Sequence, residues 1–235
     1  QGNLRHPSTH RFKESPVGPV PVEWEVVPLW DVVESVIDFR GKTPRKIGME
    51  WGGGNIPALS ANNVEMGKIN FEKESYFGSD DLYSRWMTNG NAAKGDILMT
   101  MEAPLGNIAQ VPDSQRYILS QRVILIKTKQ EMVSNDFLMQ QMMAADFQQA
   151  LKRDSTGTTA TGIQRAKLEK IPVAIPHSLW EQEKIAQILG EIDRNLEFED
   201  TKMSKLHRLK SGLMQDLLSG RVSVVGFLQK EDLLT

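Results

Sequence analysis

Four cations fall within seven residues, at Arg40, Lys42, Arg45 and Lys46, with Thr43 among them. Gly41 and Pro44 keep this run out of helix and strand, so it reads as a basic loop able to clamp a phosphate backbone. Asp38, just before it, is the only opposing charge, and a solvated basic turn fits the same residues. Ser60, Asn62 and Asn63 form a second polar loop. An asparagine amide pairs bidentately with adenine in the major groove, although asparagine also favours turns for conformational reasons alone. Gln121 and Arg122 stand at the mouth of an apolar run and match adenine and guanine edges respectively. Further on, Thr156, Thr158 and Thr159 offer hydroxyls and backbone N–H groups to phosphate, and Gln164 and Arg165 follow directly. Lys152, Arg153, Arg165, Lys167 and Lys170 there face only Asp154 and Glu169, a local +3 on a chain of net charge −2. These residue types suit duplex recognition, in which cations fix position and amide or guanidinium groups read base edges. A basic helix end would look the same.

Other chemistries are poorly served. There is no cysteine, which removes disulfides, thiolate metal sites and a thiol nucleophile together. His6, His10, His177 and His207 make no i, i+4 pair of the kind a zinc hydrolase uses. Gly41-Lys42-Thr43 looks like the end of a phosphate loop, but Val36 stands where the upstream glycine belongs and Pro44 interrupts the following helix. Trp51-Gly52-Gly53-Gly54-Asn55 has neither the preceding strand nor the following helix of a cofactor loop, and reads as a surface turn. The nearest carboxylates for Mg²⁺, Asp113 and the Asp200/Lys202 pair, do not cluster, and the pair falls on a solvated helical face. No Asn-Pro-Pro-aromatic stretch for amino methylation occurs. The expectation is a chain with no catalytic constellation, no metal site and no cofactor of its own.

The elements that must position the loops come next. Apolar residues make up 40% of 235, enough for a sizeable core. No apolar run approaches the roughly 20 residues of a membrane span, and the N-terminus lacks the apolar core of a signal peptide, so a soluble cytoplasmic protein is expected. Residues 1–22, with Pro7, Pro16, Pro19 and Pro21, read as an extended arm or linker. A domain over 23–180 follows, its order beginning with Trp24, Val26, Val27 and Leu29. Strands are expected at Ile97–Met101, Asn107–Val111, Tyr117–Leu119, Arg122–Ile126 and Ile171–Ile175, and a helix over 135–152 behind a Ser134 or Asn135 cap. Residues 181–220 carry no proline, and Ile185, Leu189, Ile192, Leu196, Met203, Leu206, Leu213 and Leu217 recur at three- and four-residue steps, interrupted by charged Glu199 and Lys210. Such a helix reaches roughly 60 Å, more than a small β domain can cover, so its second half is expected to meet another helix. A tail occupies 221–235. The fold class is thus α+β, an irregular, mostly antiparallel β domain followed by one long coiled-coil-type helix.

Eight segments taken together resemble the DNA specificity subunit of Type I restriction–modification enzymes. They are Arg40-Gly41-Lys42-Thr43-Pro44, Ile56–Val64, Gly95-Asp96-Ile97-Leu98, Gly106-Asn107-Ile108-Ala109, Ser120–Lys127, Gly157–Ile163 with Leu168–Val173, Glu181–Ala186, and Leu209–Gly220. Each alone is weak; their shared order and spacing, from Val22 to Val222, carry the resemblance. The family implies two target-recognition domains that each read half of a split site, and two long helices packed antiparallel as a ruler. It also implies docked methyltransferase subunits, which use S-adenosylmethionine, and recruited motor–nuclease subunits, which use ATP and Mg²⁺. This chain has one such domain and one such helix. The expectation is therefore either the second half of a longer subunit or a short one that pairs through its helix with a second half-subunit or a copy of itself. Two other readings stay open: the recognition portion of a single-chain methyltransferase–nuclease, and a coiled-coil assembly adaptor.

Overall fold

A computed structural model describes residues 11–40, 42–73, 75–120, 122–156 and 162–224. The chain divides into two compact units, residues 1–187 and 188–235.

In the first unit, β1 (Phe12–Lys13) and β2 (Val20–Pro21) form a small hairpin, so the described part of the expected arm is paired rather than simply extended. β3 (Trp24–Pro28) and β4 (Val33–Asp38) follow, then β5 (Ile56–Leu59), the short β6 (Val64–Glu65) and β7 (Lys68–Ile69), and β8 (Phe77–Gly78). Helix α1 (Asp80–Trp86) starts at Ser79, whose hydroxyl accepts from the Leu82 amide, with Asp80 and Asp81 in the first turn where the helix dipole favours them. The remaining strands are β9 (Ile97–Met101), β10 (Leu105–Gln110), β11 (Ile118–Leu119) and β12 (Val123–Thr128). Helices α2 (Asn135–Met143), α3 (Ala145–Asp154) and α4 (Arg165–Leu168), then β13 (Pro172–Pro176), lead into α5 (Leu179–Leu218).

The centre is an antiparallel sheet in the order β10-β9-β12-β4. It is covered on both faces, which explains why β9, apart from Thr100, and β12 up to Ile126 read as continuous apolar runs instead of alternating ones. Ile97, Met99, Met101, Ile124 and Ile126 enter one core with Phe137, Leu138, Leu151 and Val173. Leu98, Val123 and Leu125 enter a second core with Leu59, Leu82, Trp86 and Ile118. Over that second face lies a small sheet, β11-β5-β8, in which β11 runs parallel to β5. β13 pairs antiparallel with β3.

The expected helix over 135–152 is two helices. Ala144 is extended (ψ 150°) and ends α2 while starting α3. Gln148 compensates for the break: its amide donates to the Met142 carbonyl at 2.8 Å and to the Gly106 carbonyl at 2.9 Å. No glycine or proline marks the site, so sequence pattern alone gave no sign of it.

α5 is continuous over 40 residues. Within the first unit its opening turns are pinned by Gln182, which is fully buried. The Gln182 side-chain oxygen accepts from the Ser134 amide at 2.9 Å, and its amide donates to the carbonyls of Met132 (2.9 Å) and Pro176 (2.8 Å). Ala186 is buried in the same core and Ile185 is half-buried against it. Ile185 was expected in a helix–helix seam; it packs on the domain core instead, because Gln182 draws this turn of α5 onto β13 and the α2 cap. In the second unit the seam residues Leu189, Ile192, Leu196, Met203, Leu206, Leu213 and Leu217 are all exposed. Among the described residues no helix is long and apolar enough to cross a membrane.

Candidate nucleic-acid interface

Three of the loops singled out in the sequence meet in one cleft of about 610 Å³. Lys42, Thr43 and Arg45 come from the turn after β4, Ser60 and Asn62 from the turn after β5, and Arg122 from the turn residue just before β12; Ser120 lies between the small sheet and the central one. The β11–β5 pairing explains the convergence, since the Ser120 amide donates to the Leu59 carbonyl at 2.8 Å and so places the ends of both strands side by side.

The floor of the cleft is aromatic. Trp51 stacks on Tyr76 (centroids 5.4 Å apart, planes at 20°) and tilts against Trp86 (6.3 Å). Trp86 is buried and its indole N–H donates to the Leu119 carbonyl, whereas Tyr76 is 42% exposed. The turn at 51–55, expected as a mere surface feature, is therefore part of the site. Gly52 bridges to Gly78, and a Cβ on Gly54 would come within 2.5 Å of the Gly78 carbonyl oxygen. Glycine is required there by close backbone approach. Trp51 and Tyr76 were missed because nothing in a linear pattern couples residues 25 positions apart.

The expected readers divide by their surroundings. Asn62 is exposed at the cleft. Asn63 is not a reader: it is 0% exposed, its oxygen accepts from the Ser60 amide, and its amide donates to the Ala58 carbonyl and Ser75 hydroxyl. All its polar capacity is spent holding the loop that presents Asn62. Asn63→Ala should therefore destabilise the domain by about 2 kcal/mol, since it strands buried polar groups, while Asn62→Ala should leave the melting temperature within a degree or two. Thermal unfolding of the two variants side by side checks this; equal effects would contradict the division.

Arg40 is also withdrawn. Its guanidinium grips Asp38 through Nε (2.9 and 3.0 Å) and Nη2 (2.6 Å), and its backbone amide donates to the same carboxylate. Burial pushes the Asp38 carboxyl up, but these hydrogen bonds and the charges of Arg40 and Arg165 outweigh it and hold the pKa below the ordinary value. The pair braces the start of the basic turn. Lys42 is exposed and lies over the Phe39 ring at 5.3 Å, and Arg45 and Lys46 are exposed on a single 3-10 turn, Pro44–Ile47, which Pro44 opens rather than prevents. Lys46 is not among the cleft-lining residues.

Arg165 and Gln164 do not line the cleft. Arg165 stacks over Trp30 at 4.7 Å and pairs with Glu169 at 2.9 Å, which ties it to its own helix, and Gln164 caps that helix by position. Thr156 exchanges backbone hydrogen bonds with Gly162 and closes the base of the threonine loop. Thr158, Thr159 and Gln121 lie outside the described residues. Among the described residues no group of three or more histidine, aspartate or glutamate side chains could hold a metal ion.

A central sheet buried on both faces, a basic cleft over an aromatic floor and a long helix thus make up the chain. It belongs to the Type I restriction modification DNA specificity domain family, whose model matches residues 21–208. Among its relatives, the Type I restriction enzyme MjaVIII specificity subunit of Methanocaldococcus jannaschii is 28% identical over 233 residues, covering 95% of this chain and 51% of the relative. The putative type I restriction enzyme MjaX specificity subunit of the same organism is 26% identical, covering 95% and 48%. The chain spans about half the length of the curated relatives it matches. In fold it is similar to the type-I S subunit from M. genitalium (TM-score 0.55, 14% identity, 90% of this chain and 50% of that one). It is similar also to the HsdS subunit from Thermoanaerobacter tengcongensis (TM-score 0.56, 15% identity, 87% and 47%). The mostly antiparallel head and long helix expected from sequence agree with these folds.

Proposed function

We propose that this chain is a DNA-reading half of a Type I specificity subunit. The head reads one half of a bipartite duplex site through the cleft, and the chain itself performs no chemistry. Lys42 and Arg45 neutralise phosphates; Asn62 and Arg122 address base edges, with Ser60, Thr43 and Ser120 as short-range polar partners. The observation that carries this reading is the gathering of Lys42, Arg45, Asn62 and Arg122 from three separate turns into one cleft.

The apolar stripe on the second unit supports the other half of the role. Met203, Leu206, Leu213 and Leu217 line one face together with Leu209 and Met214, an arrangement that suits a second long helix, from a second half-subunit or a copy of this chain. The assembled pair directs methyltransferase subunits, and through them the motor–nuclease subunits; S-adenosylmethionine, ATP and Mg²⁺ belong to those partners.

The test is binding by the chain together with its methyltransferase subunits to a pool of random duplexes, followed by sequencing of the bound fraction. A split, gapped sequence should be enriched. Capture of the methyltransferase without any enriched sequence would favour the assembly-adaptor reading, and methylation or cleavage by the chain alone would favour the single-chain enzyme. In the same preparation, light scattering should show self-association of the isolated chain that Leu206→Asp with Leu213→Asp abolishes. A monomer at all concentrations would remove the self-pairing part of the proposal.

A further inference from the structure

We propose that Arg122 is a specificity-determining residue of the cleft, selecting guanine beside whatever Asn62 reads, and that Glu102 is the residue that positions it. This rests on the reading of the cleft as a duplex-binding surface. Three observations carry it. Arg122 has φ 69°, a left-handed conformation that costs any residue with a Cβ, and the other non-glycine residue described with positive φ is Ala103, directly after Glu102. Both outliers therefore sit at one end of the central sheet. The side chains offset little of the strain: those of Arg122 and Glu102 are 51% and 46% exposed, and a solvated ion pair adds little to stability; the bond from the Met101 amide to the Arg122 carbonyl (2.7 Å) is one that any residue would make there. A glycine would serve this backbone position at lower cost, so what the position supplies is the side chain, and strain held in this way is characteristic of functional sites.

The second observation is how the guanidinium is held. Glu102 Oε1 lies 3.2 Å from Arg122 Nε. This ion pair, made without a hydrogen bond, sets a negative charge on the Nε side of the planar fork and leaves the two terminal nitrogens, which have no other partner among the described residues. A guanine edge offers O6 and N7 as adjacent acceptors, which two N–H groups in one plane match and a lysine point charge does not. The third is the contrast with the other cleft cations. Lys42 and Arg45 line the same cleft without a carboxylate partner among the described residues, as suits phosphate contacts that tolerate swinging side chains. Only Arg122 is both strained in backbone and braced in side chain.

The experiment uses the chain assembled with its methyltransferase subunits and duplexes bearing the enriched site, in which each guanine is replaced in turn by 7-deazaguanine to delete N7. One guanine should show about a 10-fold loss of binding. Arg122→Lys should abolish that difference while keeping the salt dependence, and Glu102→Gln should reduce it to an intermediate value. Arg122→Gly should lose the discrimination yet melt no lower than the parent chain, because the left-handed strain is relieved. An enriched half-site without guanine, a 7-deazaguanine penalty that survives Arg122→Lys, or a melting point several degrees lower in Arg122→Gly overturns the assignment to Arg122. An unchanged penalty in Glu102→Gln overturns the positioning role. If the parent complex enriches no sequence at all, the duplex-binding reading fails instead.

Discussion

Replacing Lys42 and Arg45 together by alanine should weaken DNA binding by the assembled complex about 10- to 50-fold at physiological salt, for matched and mismatched sequences alike. Each side chain lines the cleft, and each phosphate it neutralises releases counterions, so loss of two contacts should flatten the plot of log affinity against log salt by about 1.8. The fold should be indifferent, because both residues are exposed and the turn is closed by backbone bonds, Gly48 N–H to the Arg45 carbonyl and Lys46 N–H to the Thr43 carbonyl. Titration at four salt concentrations separates the outcomes. A loss confined to the cognate sequence would make these residues base readers, and an unchanged slope would place the phosphate backbone elsewhere.

The second large effect is on stability. Gln182→Leu preserves volume but leaves the Ser134 amide and the carbonyls of Met132 and Pro176 without the partner they now share. Buried groups stranded in this way cost about 1–3 kcal/mol each, so the head should lose about 3 kcal/mol or more. For a unit of this size that lowers the melting temperature by about 10 °C. Glu183→Leu, one residue along the same helix and exposed, is the control and should change little. Gln182 is polar at a position where a periodic pattern would accept any apolar residue, and its three bonds reach β13 and the α2 cap from 48 to 50 and 6 positions away. A drop of only a degree or two would show that water replaces these bonds and that the head tolerates a loose junction.

The sequence revealed the strands best where burial is most complete. Ile97–Met101 and Val123–Ile126 are apolar at nearly every position because both sheet faces are covered. It was silent where local rules conflict with tertiary context. Val33–Asp38 contains exposed Glu34 and Ser35 and lies at the sheet edge, so it lacks the pattern of a buried strand. Ile56–Leu59 contains Pro57, which argues against a strand, yet its partner there is only the two-residue β8. The Ser79 cap with Asp80 and Asp81 was a readable helix start that the strand-like surroundings obscured.

The site divided in the same way. The loops bearing Lys42, Arg45, Asn62 and Arg122 were visible as polar or basic interruptions between apolar runs. Which member of each loop faces outward was not. Asn62 and Asn63 are chemically identical neighbours, and only the positions of Ser60, Ala58 and Ser75 decide that one is buried scaffold and the other exposed. Arg40 and Arg122 each have an acidic partner, but Asp38 is two residues away and grips tightly, whereas Glu102 is twenty away and holds a single edge. The aromatic floor depends on the Trp51–Tyr76 stack, which needs the β5–β8 pairing to exist first.

The most direct test of the account is a map of methylated adenines and cytosines in cells that carry the gene, lack it, or carry it with Asn62→Ala. One gapped motif should be present in the first strain, absent from the second, and relaxed at a base of one half in the third; identical motif sets in all three would contradict the claim that this cleft chooses the sequence.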